Sequence, residues 1–391
     1  MSARVIVAGA GPVGLTAALA LAQAGVAVTL VEKRAALNTA SKASTFHPPT
    51  IEILDRMGVA DVLHDKGQRV ERTQYRTAQD GVFAEFALDL LADDTPFPLR
   101  IHLEQSRLTP IMLAHLTRHP AAEIRFDTEA IGVESTESSV TLVVQGPRGV
   151  ERIEGAYLIA ADGARSQVRT ALGIAFDGTE YGHRVLRLMT DEDLTRRLPG
   201  LAPISYLHNG NKSASFLKMP DCWRIILRVP AEVDDSAALD EAWILDRLRE
   251  AWPGWDRVPH TIHKDVFGAS RRLAATFRSG RAVLAGDAAH LTNTRGGMNM
   301  NAGIHDSDAI ARAVAEALRA GDPDIVARAA DARHRIAAEL LIPRTDRTVM
   351  GGLDWLAHIR KTAADPIAAR AYLLTSAMLD MVARPAMAVS P

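Results

Sequence analysis

RVIVAGAGPVGLTAALALAQAGVAVTLVE, residues 4–32, decides the fold of this chain. The apolar run Arg4–Ala8 predicts a buried strand, and Pro12–Gln23 predicts a helix with proline in its first turn. Val26–Val31 predicts a second buried strand, because it is short, apolar and rich in valine. The stretch therefore predicts a βαβ unit with a glycine-rich first turn.

The turn between the first strand and the helix reads Gly9-Ala10-Gly11-Pro12-Val13-Gly14. The first glycine permits a tight turn, the second lets the backbone approach a pyrophosphate, and the third lets the helix pack on the strand. The helix N-terminus then faces the anion. Glu32, at the end of the second strand, can accept hydrogen bonds from ribose hydroxyls and disfavours a 2′-phosphate. The turn predicts FAD or NAD binding without separating the two.

Composition limits the class of protein. The 391 residues are enough for two lobes, and a net charge of −2 gives no basic footprint for nucleic acid. The single cysteine, Cys222, fits a reducing compartment and is interpreted as a packing residue. Residues 5–31 carry no charge and could pass for a membrane span, but their glycine turns favour a buried βαβ unit. We expect a cytoplasmic protein without a membrane segment.

Two further motifs follow predicted strands. Asp162-Gly163 comes after the strand Tyr157–Ala160, so Asp162 would lie beside a cofactor and Arg165 would be available for phosphate. Gly286-Asp287 comes after the strand Arg281–Ala285, which would deliver Asp287 to the sheet edge where ligands bind. The glycine loop Gly296–Gly303 then precedes a helix whose free N–H groups would face the cofactor.

The order and spacing of these motifs resemble the class A flavoprotein aromatic hydroxylases, of which para-hydroxybenzoate hydroxylase is the best-known fold representative. The resemblance covers nearly the whole chain and implies a non-covalently bound FAD. It assigns the following residues to FAD: Gly9, Gly11, Pro12, Val13, Gly14, Glu32, Lys33, Lys42, Gln105, Arg107, Asp162, Arg165, Gly286, Asp287, Gly297, Met298, Asn299, Met300 and Asn301.

Three positions depart from the family pattern. Lys42 stands where relatives usually have arginine and would give the pyrophosphate a point charge rather than a bidentate fork. Thr294 stands where relatives commonly have proline, and Asn299 where they have glycine. Asparagine tolerates left-handed backbone conformations, so the loop can still form. These changes bear on the flavin geometry more than on FAD binding.

The resemblance implies a reaction in two halves. NADH or NADPH reduces FAD, and the reduced flavin then captures O₂ as a C4a-hydroperoxide that hydroxylates a small phenolic or other electron-rich aromatic substrate. An FAD-dependent reductase, dehydrogenase or epoxidase on the same fold is the alternative. A flavin-binding sensor or scaffold without turnover is the alternative from another class.

The expected fold class is α/β plus α+β. A Rossmann-like FAD-binding domain, interleaved with a β-sheet substrate domain, would precede a helical C-terminus. The expected FAD-binding domain is discontinuous and comprises residues 1–68, 101–175 and 269–340. The expected substrate domain comprises 69–100 and 176–268, and the C-terminal helical segment comprises 341–391.

The substrate site is less defined by the sequence. The catalytic candidates are Tyr206, His47 and Ser44, and the substrate-contact candidates are Phe216, Trp223 and Arg224. By resemblance, the Tyr206 hydroxyl would assist deprotonation of a phenol; the alternative for His47 is a structural role at a helix entry. The 13 histidines lack metal-ligand spacing, so no metal is expected. A homodimer is left open.

Overall fold

The computed structural model describes residues 4–40, 43–210, 212–347 and 353–382. Its strands are β1 (Val5–Ala8), β2 (Val28–Val31), β3 (Thr45–Phe46), β4 (Gln68–Val70), β5 (Arg72–Thr77), β6 (Gly81–Ala87), β7 (Arg100–His102), β8 (Ala122–Arg125), β9 (Glu129–Ser135), β10 (Val140–Gly146), β11 (Gly149–Gly155), β12 (Tyr157–Ala160), β13 (Phe176–Thr190), β14 (Ile204–Asn209), β15 (Lys212–Lys218), β16 (Trp223–Pro230), β17 (His263–Ala274), β18 (Arg278–Ser279), β19 (Ala282–Leu284) and β20 (His290–Leu291). Its α-helices are α1 (Pro12–Gln23), α2 (Pro48–Arg56), α3 (Ala60–Lys66), α4 (Gln105–Leu116), α5 (Gln167–Ala171), α6 (Asp235–Ala238), α7 (Glu241–Ala251), α8 (Met298–Ala320), α9 (Asp324–Ile336), α10 (Ile342–Arg347), α11 (Leu353–Ala364) and α12 (Pro366–Ser376).

A six-stranded sheet contains the N-terminal βαβ unit. Its strand order is β18-β19-β12-β1-β2-β8, and β1 pairs in parallel with β2 and with β12. All four residues of β1 are buried, as expected of a parallel strand covered on both faces. The carboxyl ends of β1, β12 and β19 bring the glycine turn 9–14 and the two later motifs to one edge. Ligands bind at this edge in such sheets.

An eight-stranded sheet, in the order β20-β17-β13-β16-β15-β14-β5-β6, forms the second layer. One face packs on α6 and α7 through an apolar cluster that includes Leu186, Ile225 and Leu248. The opposite face carries polar and aromatic side chains. Strand β17 crosses the expected domain boundary at residue 268, because it pairs with β13 along most of its length. The fold is mixed α/β and α+β with a helical C-terminus.

Capping residues and prolines mark several helix starts. The helical segment before residue 252 consists of two helices, α6 and α7, because Asp234 and Asp240 each cap a separate helix N-terminus. Pro343 lies in the first turn of α10, directly after the π-helical turn Ala337–Leu341, so the chain changes helix type here. Helix α12 begins at Pro366, where a proline is well tolerated.

The helical C-terminal part packs against both sheets. Helix α8 joins the main core beside α1 through residues such as Ile304 and Val314. Helices α11 and α12 cover the edge of the eight-stranded sheet, where Ile359 and Leu373 pack on Phe86. Within the described residues, no helix is both long and apolar enough to cross a membrane.

Candidate active site

The glycine turn after β1 leaves room for an anion. Gly9 has a φ of +102°, and a Cβ there would lie 2.4 Å from the carbonyl oxygen of Ala161. A Cβ on Gly14 would lie 1.8 Å from the carbonyl oxygen of Gly9, so only glycine lets α1 approach the turn this closely. At Gly11, by contrast, a Cβ would meet no heavy atom of the described residues within 4 Å. Since the first N–H groups of α1 lack partners within the helix, the space over Gly11 suits a phosphate.

Glu32 is fixed beside this turn. The residue is 7% exposed, and its Oε2 accepts a hydrogen bond from the backbone N–H of Ala10 at 2.9 Å. Its Oε1 accepts hydrogen bonds from the backbone N–H of Arg34 at 3.0 Å and from the Arg34 Nη1 at 3.3 Å. The remaining lone pairs of the carboxylate can accept hydrogen bonds from ribose hydroxyls.

Asp162 holds the turn after β12 together. Its Oδ1 accepts a hydrogen bond from Ser166 Oγ at 2.6 Å, and its Oδ2 accepts one from the backbone N–H of Val168 at 3.2 Å. Burial raises the pKa of Asp162, while these hydrogen bonds oppose the rise. The carboxylate therefore stabilises the start of α5. This structural role is by itself a sufficient reason for an aspartate in the motif.

Gly286 brings the third motif against α1. It has a φ of +60°, and a Cβ there would lie 2.9 Å from Cγ2 of Val13. A Cβ on Gly303 would lie 2.8 Å from the same methyl carbon. Val13 therefore packs between the motif and α8. Asp287 is exposed at this junction, and its Oδ1 accepts a hydrogen bond from Asn299 Nδ2 at 2.8 Å.

Asn301 and His47 hold the glycine loop against β3. Asn301 Nδ2 donates to the carbonyl oxygens of Thr45 at 2.8 Å and Gly297 at 2.6 Å. Asn301 Oδ1 accepts a hydrogen bond from the backbone N–H of His47 at 3.0 Å. The His47 Nε2 donates to the carbonyl oxygen of Gly296 at 2.8 Å, and burial lowers the pKa of this histidine well below its usual value. His47 is thus neutral, starts α2 and fixes the loop.

An aromatic wall lies where one face of the eight-stranded sheet meets α11 and α12. We define it as Tyr75, Tyr206 and His208 of the sheet together with Trp355 and Tyr372 of these helices. Tyr75 stacks on Tyr206 with ring centroids 5.1 Å apart, and Trp355 meets Tyr75 edge-on at 5.4 Å. The hydroxyl oxygens of Tyr75 and Tyr372 are 2.8 Å apart, and burial raises the pKa of both groups. Burial lowers the pKa of His208 to about 4, so this imidazole is neutral at pH 7.

Arg295 connects the glycine loop to this wall. It lies in the 3₁₀ turn before α8, and its Nη2 donates to Ser213 Oγ at 3.1 Å on β15. Burial lowers the pKa of Arg295, and the Arg295 charge adds to burial in lowering the pKa of His208. A guanidinium group therefore connects the start of the glycine loop to the sheet that bears the aromatic wall.

The comparisons with known proteins agree with this geometry. The FAD binding domain family matches residues 2–342. Para-nitrophenol 4-monooxygenase from Pseudomonas sp. (strain WBC-3) is 30% identical over 332 residues, which cover 81% of this chain and 79% of that protein. The crystal structure of p-nitrophenol 4-monooxygenase PnpA from Pseudomonas putida DLL-E4 has a TM-score of 0.88 at 25% identity, covering 97% of this chain and 98% of the other.

The chain belongs to the class A flavoprotein aromatic hydroxylases. A further relative of this FAD-dependent monooxygenase is the 6-hydroxy-3-succinoylpyridine 3-monooxygenase HspB from Pseudomonas putida (strain DSM 28022 / S16). It is 27% identical over 381 residues, covering 93% of this chain and 95% of that protein. The hydroxylase thus shares its length as well as its fold with enzymes whose names describe oxygenation of an aromatic ring.

The structure corrects two of the substrate contacts expected for the hydroxylase. Phe216 and Trp223 are buried in the core between the sheet and α7, where Phe216 stacks on Trp255 with centroids 6.2 Å apart. Ser215 pairs with Tyr206 in the neighbouring strand, so the next residue, Phe216, points to the opposite face. Neither aromatic side chain reaches the aromatic wall, and the expectation that they contact substrate is wrong.

Arg224 already has a protein partner. Its Nη2 lies 3.3 Å from Oε1 of Glu104; burial lowers the pKa of Arg224, and the Glu104 charge opposes that effect. Glu104 Oε2 also lies 3.5 Å from Arg107 Nε, and Arg107 forms a second ion pair with Asp221. Both arginines therefore tie the start of α4 to the substrate sheet. The expectation that Arg224 contacts the substrate is therefore not supported.

The other basic and polar residues assigned to the cofactor differ in exposure. Lys33 and Arg165 are exposed on the surface, and Gln105 is half-buried at the start of α4. Lys42 lies outside the described residues. In the part of the chain that is described, no group of three or more His, Cys, Asp or Glu side chains is arranged to hold a metal ion.

The remaining candidates are buried. Met298 and Met300 place their side chains in two separate cores, so only their backbone groups are available to a cofactor. Ser44 is 7% exposed, and its carbonyl oxygen accepts a hydrogen bond from the Leu103 N–H at 2.9 Å. The hydrogen bond between Ser44 and Leu103 continues the pairing of β3 with β7. Ser44 therefore has a structural role in the backbone next to the site.

Arg169 is a site residue that the sequence-based prediction did not include. Its Nη1 donates to the carbonyl oxygen of Ala288 at 2.9 Å, and its Nη2 donates to that of Ala164 at 3.0 Å. Its guanidinium also lies 3.8 Å from the ring centroid of Phe176. Arg169 thereby connects the Asp-Gly motif to the Gly-Asp motif. The available signal was an arginine in the helix that directly follows the Asp-Gly motif.

Proposed function

We propose that this hydroxylase uses NADH or NADPH to hydroxylate a small phenolic ring. The observation that carries the proposal is the position of Arg295, which directly precedes the glycine loop and donates a hydrogen bond to the sheet that bears the aromatic wall. The wall can stack on a single ring, and a guanidinium favours the phenolate over the neutral phenol. The names of two relatives, a para-nitrophenol 4-monooxygenase and a 6-hydroxy-3-succinoylpyridine 3-monooxygenase, support a small hydroxylated ring.

The residues at the sheet edge fit FAD. The space over Gly11 would receive the pyrophosphate, Glu32 the ribose, and Asp287 the ribityl region, while the glycine loop would approach the flavin ring. Bound FAD would accept a hydride from the nicotinamide and activate O₂ for transfer of one oxygen atom. The protein residues would hold the two reactants in line and exclude water.

The aromatic wall and Arg295 would prepare the substrate. We assign the Tyr206 hydroxyl as a hydrogen-bond partner of the phenol oxygen, held by the stack with Tyr75. A nearby positive charge lowers the pKa of a phenol, so Arg295 would increase the phenolate fraction and make the ring more nucleophilic. His208 is neutral, since its pKa is about 4, so it adds no positive charge beside Arg295.

Anaerobic reduction followed by product analysis tests the function. The purified, FAD-loaded protein is mixed with NADH or NADPH in the presence and absence of phenol, para-nitrophenol or 4-hydroxybenzoate, and O₂ is then admitted. We expect faster flavin reduction with an accepted phenol and a product heavier by one oxygen atom. Rapid reduction without oxygen insertion for any aromatic substrate would instead support the reductase or dehydrogenase alternative.

Arg295→Met and Arg295→Lys test the role of the charge. Methionine keeps much of the side-chain length but not the charge, so the acid limb of the pH–rate profile should move to higher pH, because a larger fraction of bound phenol stays neutral. Lysine should keep most of the wild-type profile. Equal profiles for the methionine variant and the wild type would show that Arg295 does not favour the phenolate.

A further inference from the structure

Asn299 lies between the exposed Asp287 and a buried histidine. Its Nδ2 donates to Asp287 Oδ1 at 2.8 Å, and its Oδ1 lies 3.1 Å from Nδ1 of His290. A carboxylate only accepts hydrogen bonds, so the amide nitrogen of Asn299 must face Asp287. The amide oxygen then faces the imidazole and accepts from it. A glycine here, as the family pattern has, would make neither bond.

The same histidine belongs to a buried ion network. His290 Nε2 lies 2.7 Å from Oδ2 of Asp306, and Arg333 Nε donates to the other Asp306 oxygen at 2.7 Å. Arg333 Nη1 continues to the carbonyl oxygen of Met381 at 2.6 Å. His290 and Asp306 are 0% and 1% exposed, so their arrangement is fixed by these partners. Both nitrogens of His290 face acceptors, which requires the imidazolium form.

We propose that Asn299 is a positioning residue for FAD: it transmits the fixed orientation of the His290–Asp306–Arg333 network to the carboxylate of Asp287. Asp287 is exposed, and ordering an exposed side chain costs rotamer entropy. The amide bridge holds Oδ1 of this carboxylate in a fixed direction at the sheet edge where the cofactor would bind. This role rests on the proposed assignment of Asp287 to FAD.

Pre-organisation explains why a larger residue is accepted at a glycine position. Asn299 is the second residue of α8, and its side chain reaches back to the Gly-Asp motif instead of forward over the loop. The bridge therefore fixes the motif to the start of the helix whose N–H groups face the cofactor. The entropy of ordering Asp287 is lost on folding rather than on binding, which favours affinity.

The test measures FAD affinity in bridge variants. Asn299→Ala and Asn299→Gly remove the amide, and each should raise the Kd for FAD about tenfold, as expected for loss of one charge-assisted hydrogen bond. Asn299→Asp places two carboxylates face to face and should raise the Kd further. Adding Asp287→Asn to Asn299→Asp restores one amide and one carboxylate in swapped order, and should recover at least part of the affinity lost by Asn299→Asp alone. Asn209→Ala, which removes an exposed amide bonded to Glu250, is the matched control and should leave the Kd unchanged.

The outcomes separate this inference from the proposed site. If Asp287→Ala weakens FAD binding while Asn299→Ala and Asn299→Gly do not, the positioning role is wrong and the cofactor assignment stands. If Asp287→Ala has no effect on the Kd, the cofactor assignment itself is wrong. Loss of affinity in Asn299→Asp without recovery in the swapped pair would also overturn the role, because it would indicate a general structural defect. Recovery in the swapped pair, with the visible flavin spectrum of the wild type, supports it.

Discussion

Asp306 permits a quantitative test of the buried network. It is 1% exposed and accepts hydrogen bonds from His290 Nε2 and Arg333 Nε, both at 2.7 Å, and from the Gly286 N–H at 3.2 Å. Asp306→Asn removes the one negative charge between two buried cations and turns an amide NH₂ toward donors. Removing one partner of a buried ion pair costs about 3–5 kcal/mol. We expect the free energy of unfolding to fall by this amount.

Urea denaturation followed by circular dichroism measures the loss, with FAD removed so that cofactor binding does not contribute. Asp308→Asn is the matched control on the same helix. Asp308 pairs with Arg56 and Arg312, whose side chains are 45% and 57% exposed, so this change should cost about 0–1 kcal/mol. A loss in Asp306→Asn no larger than that in Asp308→Asn would refute the reasoning.

Three further predictions follow from the same contacts. Burial alone would lower the pKa of His290, but the charge of Asp306 and the hydrogen bonds outweigh burial and raise this pKa. The contribution of His290 to the free energy of unfolding is therefore fully present below about pH 6.5, the pKa of an unfolded histidine. It is lost as the pH rises through the higher pKa of the folded state. The urea midpoint should consequently fall more between pH 6 and 9 in the wild type than in His290→Gln, and an equal fall would contradict the imidazolium assignment. Gly14→Ala should both weaken FAD binding and lower the stability of the protein, because the new Cβ would lie 1.8 Å from a carbonyl oxygen. Flavin absorbance after gel filtration measures the first effect, and thermal unfolding measures the second. Gly182→Ala is the control, since a Cβ there would meet nothing within 4 Å. Gly11→Ala should keep the stability of the FAD-free protein but weaken FAD binding, since its Cβ would enter only the space left for the phosphate; unchanged affinity would place the pyrophosphate elsewhere.

Local sequence signals determined the N-terminal unit well. Helix α1 has the predicted bounds, Pro12–Gln23, because proline sets its start and the third glycine packs it on the strand. The long strand β13 spans Phe176–Thr190 although its first half is polar, because that half is stabilised by pairing with β17. Such pairing is a non-local interaction, and no periodicity within the strand itself reports it.

The substrate face of the site was the harder part to predict, and the reason is strand parity. In β14 the sequence Tyr206-Leu207-His208 alternates two aromatic side chains with an aliphatic one, and both faces of this strand are covered. Side chains alternate between faces, so an error of one residue between β14 and β15 exchanges Ser215 for Phe216 as the neighbour of Tyr206. In a strand with one polar face, the hydrophobic pattern fixes the register. In a strand that is buried on both faces, only the pairing with its neighbours fixes the register. Arg295 was missed for a related reason, because its partner on β15 is far away in sequence and a single arginine before two glycines carries no periodic signal.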